Sequence, residues 1–426
     1  MPRRSIAARR YNRPMAGLRG VIVDIAPLRT SVDYRRLWVA DLVASAAHEL
    51  VAVAVPYQVF LLTGSSLAVG LVGAAELVPL LLGSLAAGAV VDAHDRRRLI
   101  LVSQVGAAAC AAALGLLAAS GSPPVAAIYA VAAAMAACAS IEAPVRNASI
   151  PQLVGSYYLP QALALNQIVG QVTALAGPAL AGVLLATTGV TEVYAAAVAG
   201  FAVALATVVR VRPLPPAAGG GATRGWPAVR EGLAFARSTP VLLSTFVIDL
   251  NAMIFGMPRA LFPALAVTTY HVGPDGLGLM YAAPGAGALI GAAASGWVGN
   301  VRRQGLAVIV SVVAWGAAIV AFGLVPRDRF PLALVLLAAA GWADVVSAVF
   351  RNTILQLVAP DAMRGRLSAL HIAVVTSGPR LGDVEAGAVA AATSVRFSVV
   401  SGGLFCIAGV ALMHAVSPVL ARYRRT

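Results

Sequence analysis

Residues 67–98 read LAVGLVGAAELVPLLLGSLAAGAVVDAHDRRR, an apolar run interrupted by one acidic residue, Glu76, and followed by a short charged cluster. A helix needs roughly 20 consecutive, mostly apolar residues to cross the hydrocarbon core of a bilayer. The run over 67–91 is long enough, and the arginines after it are typical of a cytoplasmic loop. The stretch therefore predicts a transmembrane helix that ends at the cytoplasmic face of a membrane.

The rest of the chain repeats this alternation of apolar runs and short polar breaks. Of its 426 residues, 60% are hydrophobic and 11% are charged, and the mean hydropathy is +0.85. This leaves too little charged surface for a water-soluble protein of that length. We predict an all-α integral membrane fold, with twelve transmembrane helices in two six-helix pseudo-repeats around a central cavity. The predicted helices are 37–62, 67–91, 99–119, 124–145, 161–187, 191–211, 241–268, 275–298, 306–325, 330–352, 366–391 and 397–420.

The basic residues indicate how these helices are oriented. All 31 are arginine, and 26 of them fall on one side of the predicted bundle, in the tails, in loops or at helix ends. The remaining five are Arg327, Arg329 and Arg396 on the other side, and Arg259 and Arg380 inside helices. Because positive residues concentrate in cytoplasmic loops, both termini are predicted to be cytoplasmic. Nucleic acid is not an expected partner, despite the net charge of +14, because the charge follows the topology.

The predicted organisation places a polar connector between two halves of similar length. Its first part is rich in Pro, Gly and Ala and should be flexible, and its second part has the spacing of a short amphipathic helix on the inner membrane surface. The predicted units are a cytoplasmic tail (1–36), an N-terminal half (37–211), a linker (212–240), a C-terminal half (241–420) and a second tail (421–426), with the flexible stretch at 213–224 and the amphipathic helix at 227–238.

The two halves share an internal repeat. The segment 146–182 contains RNASIPQLV and GPALAG, and the segment 351–387 contains RNTILQLV and GDVEAG. Arg146 therefore matches Arg351 at the end of the fourth helix of each half. Parallel repeats of this kind predict a substrate cavity between the halves.

The loop after the second helix resembles the signature of the major facilitator superfamily. It reads G88-AVV-D92-AHD-R96-R97-R98, and it departs from the signature at Ala93 and Asp95. The resemblance implies a charge–dipole latch that holds the halves together on the cytoplasmic side, with Gly88, Asp92 and Arg96 at the matching positions. Glu142 and Arg146, four residues apart at the inner end of the fourth helix, are interpreted as further members of this latch.

The fifth helix contains G177-P178-A-L-A-G182, which resembles the Gly-Pro motif of antiporters in the same superfamily. The stretches VPYQVFLLTGSSLAVGLVGAAELVPLLL (55–82), FGMPRALFPALA (255–266) and GPRLGDVEAGAVAA (378–391) are similar to the enterobactin-exporter-like branch. That branch includes siderophore and multidrug exporters. The resemblance therefore implies efflux of a small organic molecule, without indicating which one.

Charged side chains within apolar helices are the candidates for transport chemistry, because an ionised group at that depth costs about 2.5–3.5 kcal/mol or more. Candidate proton carriers are Glu49, Glu76, Asp383 and Glu385, and we expect Glu49, Glu76 and Glu385 to face one cavity. Candidate substrate-binding residues are His48, Tyr57, Asp249, Arg259, Tyr281 and Arg380.

Structural roles are open for several of these residues. Arg380 and Asp383 can pair on one helix face, Arg259 can pair with Asp249, and Glu76 can make a hydrogen bond between helices. Asp41, one turn inside the first helix, is expected to be solvated at the membrane surface.

The favoured function is proton-coupled export by a monomer in a bacterial inner membrane. No phosphate loop, nucleophile constellation or metal-ligand cluster occurs in the sequence, so no enzyme activity, cofactor or metal is predicted. The alternatives are a proton-coupled importer on the same fold and a non-transporting membrane partner protein.

Overall fold

The computed structural model describes residues 24–216 and 226–424. Most of the predicted N-terminal tail, most of the flexible part of the linker and the last two residues of the chain lie outside these ranges. Within them, every regular element is helical. The long helices are α1 (Val32–Thr63), α2 (Ser66–Ala93), α3 (Arg96–Ala119), α4 (125–154), α5 (156–187), α6 (Val190–Val208), α7 (Pro240–Phe255), α8 (Gly273–Ala293), α9 (Gln304–Leu324), α10 (Phe330–Val358), α11 (Asp361–Ala392) and α12 (Val395–Val416).

The described residues contain ten helical stretches that are long and apolar enough to cross a membrane. The continuous stretch Val125–Thr187, which contains α4 and α5, counts as one of them, and the more polar α11 is not included. The all-α membrane class is confirmed. The number of twelve spans stays a prediction.

The junction between α4 and α5 differs from the prediction of two helices, 124–145 and 161–187, joined by a loop. The helical backbone runs through Val125–Thr187 and is interrupted only at Gly155, with φ 69° and ψ 176°. This left-handed φ is accessible to glycine at little cost. A single residue with positive φ is therefore enough to change the direction of the chain, and α4 extends to residue 154, beyond the predicted end at residue 145.

The predicted helix 241–268 is divided in the structure. Helix α7 ends at Phe255, and the chain continues through a 3-10 turn (Arg259–Leu261), one α-helical turn (Phe262–Ala264) and a π-helical turn (Leu265–Thr269). Pro258 lacks a backbone N–H and disfavours helix in the residue before it. The Trp315 indole N–H donates to the freed Gly256 carbonyl at 2.6 Å. As a result, Arg259 lies at a break in the backbone and not inside a regular helix.

Other helix ends differ by shorter lengths. Helix α1 begins at Val32, before the predicted residue 37, because the Ser31 hydroxyl accepts the Tyr34 backbone N–H and caps the helix at 3.2 Å. Helix α8 ends at Ala293 and is followed by a 3-10 turn. Helix α12 ends at Val416, before the predicted residue 420.

The two halves meet closely on the side of the bundle opposite the start of α1. A methyl group on Gly182 of α5 would lie 2.7 Å from the Gly278 Cα of α8. On the other flank, a methyl group on Gly387 of α11 would lie 2.7 Å from the Ser66 carbonyl oxygen of α2. Since these neighbours are backbone atoms, only glycine permits the approach. The halves are therefore in direct contact on this side, which we call the far side.

The linker contains a helix at Trp226–Ser238, close to the amphipathic helix predicted at 227–238. We call it the connector helix. It docks on the start of α11 through an ion pair between Glu231 and Arg366 at 2.6 Å. Gly232 faces the Arg366 carbonyl so closely that a methyl group there would lie 2.6 Å from the oxygen. The connector helix is therefore packed against the C-terminal half.

Candidate functional site

A cavity of about 410 Å³ lies between the two halves. Helices α1, α2 and α4 line it from the N-terminal half, and the break after α7, together with α8 and α11, lines it from the C-terminal half. The lining is apolar except for one aromatic hydroxyl and a set of charged or titratable side chains. These side chains are His48, Glu49, Glu76, Arg259, Tyr281, Arg380 and Asp383.

One ion pair crosses the cavity from one half to the other. The Arg380 guanidinium of α11 lies 3.4 Å from a Glu76 carboxylate oxygen of α2, and each side chain keeps about a third of its surface accessible. The sequence offered Asp383 as the partner of Arg380 and a helix–helix hydrogen bond as the role of Glu76. The structure gives this arginine an acidic partner on the opposite half and not Asp383, and the contact joins two helices, as the structural alternative for Glu76 expects.

Asp383 supports the break in the backbone after α7. Its carboxylate accepts the Ala260 N–H at 3.1 Å, and this satisfies a backbone donor that no longer has a partner inside a helix. The same carboxylate lines the cavity. Asp383 therefore connects α11 to the segment that carries Arg259.

Arg259 is held by Tyr281 and not by an acid. Its guanidinium lies 5.4 Å from the centre of the Tyr281 ring, and the tyrosine hydroxyl donates to the Arg259 carbonyl at 3.2 Å. Among the described residues, no carboxylate lies within ion-pair distance of Arg259. The expected alternative partner, Asp249, lies elsewhere. The cavity thus contains a guanidinium that is available to a negatively charged group.

Glu49 is the carboxylate of the cavity that has no basic partner at ion-pair distance among the described residues. Helix α5 approaches it through Gly177, where a methyl group would lie 2.5 Å from the Glu49 Cβ. The second glycine of that motif, Gly182, makes the contact with α8, and the Pro178 carbonyl faces Gly278. The Gly-Pro segment of α5 therefore packs against the acid of α1 and against the other half.

Three predicted site residues lie outside this lining. Glu385 is half-buried on α11, but it follows Asp383 by two residues and so points about 200° around the helix. Tyr57 is buried. The expectation that Glu49, Glu76 and Glu385 share one cavity is right for the first two residues and wrong for Glu385. Asp249 is part of a separate cluster.

Asp41 forms a buried ion pair with Arg146 that links α1 to α4 in the N-terminal half. Asp41 is only 3% exposed, so the expectation that it is solvated is wrong. Glu142 lies 4.0 Å from the Arg146 guanidinium and 3.5 Å from the His48 imidazole. The ion pairs given for Glu142 and Arg146 are therefore with α1 and with each other, whereas the latch interpretation placed these residues with the α2–α3 loop.

The residues of that loop are tied to backbone groups of the same half. Arg96 is buried and donates to the Ala148 carbonyl at 2.7 Å. The Asp95 carboxylate caps α3 by accepting the Arg98 N–H at 3.1 Å, and it also accepts the Leu214 N–H at 2.9 Å. Gly88 and Asp92 lie in the last turns of α2. Asp95, where the sequence departs from the signature, thus anchors the beginning of the linker.

The C-terminal half contains a matching ion pair. The Arg351 guanidinium of α10 lies 2.8 Å from the Asp249 carboxylate of α7. Arg351 is the repeat partner of Arg146, and Asp249 follows the start of α7 by the same number of residues as Asp41 follows the start of α1. The sequence comparison found the arginines but missed the aspartates, because the two offsets differ by three residues. The predicted helix starts, 37 and 241, do not align the aspartates either, because their offsets match only from the starts that the structure shows, Val32 and Pro240.

A two-half helical bundle with a charged cavity between its halves is the architecture of major facilitator superfamily transporters, and solved structures of that superfamily are similar to this chain. The nucleoside transporter NupG aligns with a TM-score of 0.74 at 12% sequence identity, over 92% of this chain and 99% of that one. A bacterial homologue of the human lysosomal transporter Spinster, in an inward-facing and unoccupied conformation, aligns with a TM-score of 0.74 at 14% identity, over 95% and 100% of the two chains. At these identities the likeness establishes the fold alone.

The family follows from the sequence match. The model of the transmembrane secretion effectors matches residues 22–421, and the chain belongs to this family of the superfamily. It is 31% identical to the enterobactin exporter EntS of Citrobacter koseri, over 95% of this chain and 96% of that protein. It is 30% identical to EntS of Escherichia coli O139:H28, over the same shares. The protein is therefore a multi-pass membrane transporter with exporters among its relatives, and it is not an enzyme.

Proposed function

We propose that this transporter exports a small organic molecule, a siderophore or a lipophilic drug, in exchange for protons. The observation that carries the proposal is the cavity between the halves, which combines an apolar wall with carboxylates and guanidinium groups from both halves. An ionised group at membrane depth is costly and is rarely without a function. Glu49 and Glu76 are the proposed proton carriers, and Arg259 is the proposed anchor for a negatively charged group of the substrate.

The surroundings of Glu49 support a role in proton exchange. With no basic partner at ion-pair distance among the described residues, its carboxylate can lose and regain a proton without breaking an ion pair. Glu76 differs, because a proton on this acid releases Arg380 of the other half. Protonation of Glu76 would thus weaken a contact between the halves, and this is the coupling that antiport requires.

The contacts on the far side support alternating access. The halves touch there through glycines, and among the described residues no helix runs from one half to the other across that contact. Two rigid halves that meet through such a surface can separate by rocking, which would expose the cavity to the opposite side of the membrane. In this proposal the protein acts as a monomer with twelve spans in a bacterial inner membrane, and both termini are cytoplasmic.

The test uses everted membrane vesicles with an imposed proton gradient. Enterobactin, other siderophores and a set of lipophilic drugs are offered outside the vesicles, and uptake is measured together with proton release. At least one compound should accumulate, and a protonophore should abolish that accumulation. Glu49→Gln and Glu76→Gln should lose it, whereas Glu385→Gln, a matched change outside the cavity, should keep it. Accumulation that persists with the protonophore would refute proton coupling, and uptake only in the direction of import would refute export.

A further inference from the structure

A second group of titratable side chains lies apart from the cavity, on the side of the bundle where α1 begins. Asp249 of α7 and Arg351 of α10 are 1% and 5% exposed. Asp344, also on α10, lies 3.7 Å from the same guanidinium, and His371 of α11 lies 3.9 Å from the Asp249 carboxylate. We call these four residues the C-half cluster. It has two acids and one arginine, so its charge is −1 while the imidazole is neutral.

Asp249 and Arg351 are buried, whereas the Asp344 side chain, like that of His371, is 30% exposed. An unbalanced negative charge beside a buried ion pair is unfavourable, and one added proton neutralises it. The hydrogen bonding is also incomplete. Among the described residues, Asp249 Oδ1, Asp344 Oδ1 and Arg351 Nε are buried without a hydrogen-bond partner of good geometry. Arg351 Nη1 donates to the Ser347 hydroxyl at 2.7 Å, and Nη2 lies 2.8 Å from the Asp249 carboxylate and 3.7 Å from the Asp344 carboxylate.

A small cavity of about 10 Å³ joins the acid to the imidazole. It is lined by Thr245, Phe246, Asp249, Arg351, Asn352, Leu355 and His371. This is about the smallest cavity volume that holds one water molecule. Because 3.9 Å is too long for a direct hydrogen bond between His371 and Asp249, a water there would bridge the two side chains. The His371 side chain is 30% exposed, so the cluster has an entry for protons from solvent.

Among the described residues, Arg351 and His371 are the basic groups within ion-pair distance of Asp249, and the other elements that pack against α7 add none. Helix α9 has no charged residue in its sequence. Of the side chains that the structure describes, the other charged ones of the connector helix, α11, α12 and the turn Val419–Arg422 have other surroundings. Glu231 pairs with Arg366, Arg396 donates to the Gly323 and Leu324 carbonyls, and Arg380 and Asp383 lie at the substrate cavity. Glu385 is half-buried two residues after Asp383, and the exposed residues are Arg230, Arg237, Arg364, His414 and Arg422.

We propose that the C-half cluster is a proton-binding site distinct from the substrate cavity, in which His371 relays one proton from solvent through the small cavity to Asp249. The imidazole gives up the proton that it received, and the carboxylate becomes a neutral acid. Arg351 then keeps Asp344 as its charged partner. Since Asp344 and Arg351 are both on α10, the change removes the ion pair that ties α10 to α7.

The consequence for transport follows from the continuity of the chain. Arg259 lies ten residues after Asp249, just beyond the break that follows α7, and lines the substrate cavity. A movement of α7 would therefore change the position of Arg259 in the substrate cavity. This second part of the inference rests on the proposed proton-coupled export, whereas proton binding by the cluster does not.

The test is infrared difference spectroscopy of the purified full-length protein in lipid, between about pH 8 and pH 5, the range in which an imidazole titrates. The unmodified protein should gain the carbonyl band of a protonated carboxylic acid, and Asp249→Asn should lose the part that belongs to the cluster. Asp328→Asn, in an exposed loop, should leave the spectrum unchanged. After a rapid pH jump, His371→Gln should gain the band more slowly.

Asp344→Asn provides a second test, which does not depend on the folding of Asp249→Asn. It leaves one acid opposite Arg351, so the excess negative charge is gone. The Asp249 band should then require about tenfold or more higher proton concentration. A band that is unchanged in Asp249→Asn, or a band in Asp344→Asn with an unshifted midpoint, overturns the inference. Because the spectra need no transported compound, failure of this site and failure of the proposed function are distinguishable.

Discussion

Replacement of Gly182 by alanine should favour a conformation in which the far side is open. The added methyl group would lie 2.7 Å from the Gly278 Cα and 2.8 Å from the Pro274 carbonyl oxygen. Both neighbours are backbone atoms of α8, so α5 and α8 must separate to make room. Gly170, on the same helix, has nothing within 4 Å of the equivalent position. Gly170→Ala is therefore a matched control with the same chemistry and no clash.

The magnitude follows from a comparison of the two variants. Each replacement removes a helical glycine, which stabilises the helix by up to about 1 kcal/mol, and this gain cancels between them. What remains is the cost of overpacking at Gly182, about 1–3 kcal/mol. Only the conformation with a closed far side bears that cost. The ratio of open to closed molecules should therefore rise by about 5- to 150-fold relative to Gly170→Ala.

The assay is a distance measurement between two spin labels, on cysteines introduced at the exposed positions Thr188 and Asp275 near the far-side ends of α5 and α8. The native Cys110, Cys138 and Cys406 are first replaced by alanine. Gly182→Ala should add or enlarge a population at longer distance, whereas Gly170→Ala should not. Identical distance distributions for the two variants would refute the claim that this glycine contact holds the halves together.

Three further substitutions have defined outcomes in thermal or denaturant unfolding of the detergent-solubilised protein. Arg146→Met leaves Asp41 buried without its partner and should cost about 3–5 kcal/mol. Adding Asp41→Asn should recover most of this loss, and a double variant no more stable than the single one would contradict the pairing. Asp95→Ala should cost about 1–2 kcal/mol through loss of the α3 cap. An unchanged stability would contradict the claim that Asp95 anchors the linker. Tyr281→Phe should cost about 1 kcal/mol and weaken substrate binding, because it removes the hydrogen bond to the Arg259 carbonyl. Unaltered binding would show that Tyr281 does not position Arg259 for the substrate.

The membrane class and the positions of most helices could be predicted from the sequence, because apolar length is a local property of the chain. The division of α7 could not be predicted from hydropathy, since the segments on both sides of Pro258 are apolar on average and the Trp315 contact that stabilises the break comes from another helix. The turn at Gly155 could not be predicted from hydropathy either, because a single residue with positive φ replaces the expected loop.

The candidate site was predicted in part. Glu49, Glu76, Arg259 and Arg380 were singled out as charges at membrane depth, and the structure places all four at one cavity. Helical spacing suggested a partner for Arg380 on its own helix, but the choice between that residue and Glu76 depends on how α2 packs against α11. The partners of Asp41 and Asp249 likewise depend on contacts between helices, which spacing within one helix does not reveal.

The most direct measurement is proton release when a transported compound binds to the purified protein in weakly buffered detergent solution, followed with a pH-sensitive dye. If substrate and protons compete for the cavity, addition of the compound identified in vesicles should release protons from the unmodified protein. Glu49→Gln and Glu76→Gln should release fewer, and Glu385→Gln should release as many as the unmodified protein. Binding of the compound without proton release, or equal release from all three variants, would contradict proton exchange in this cavity.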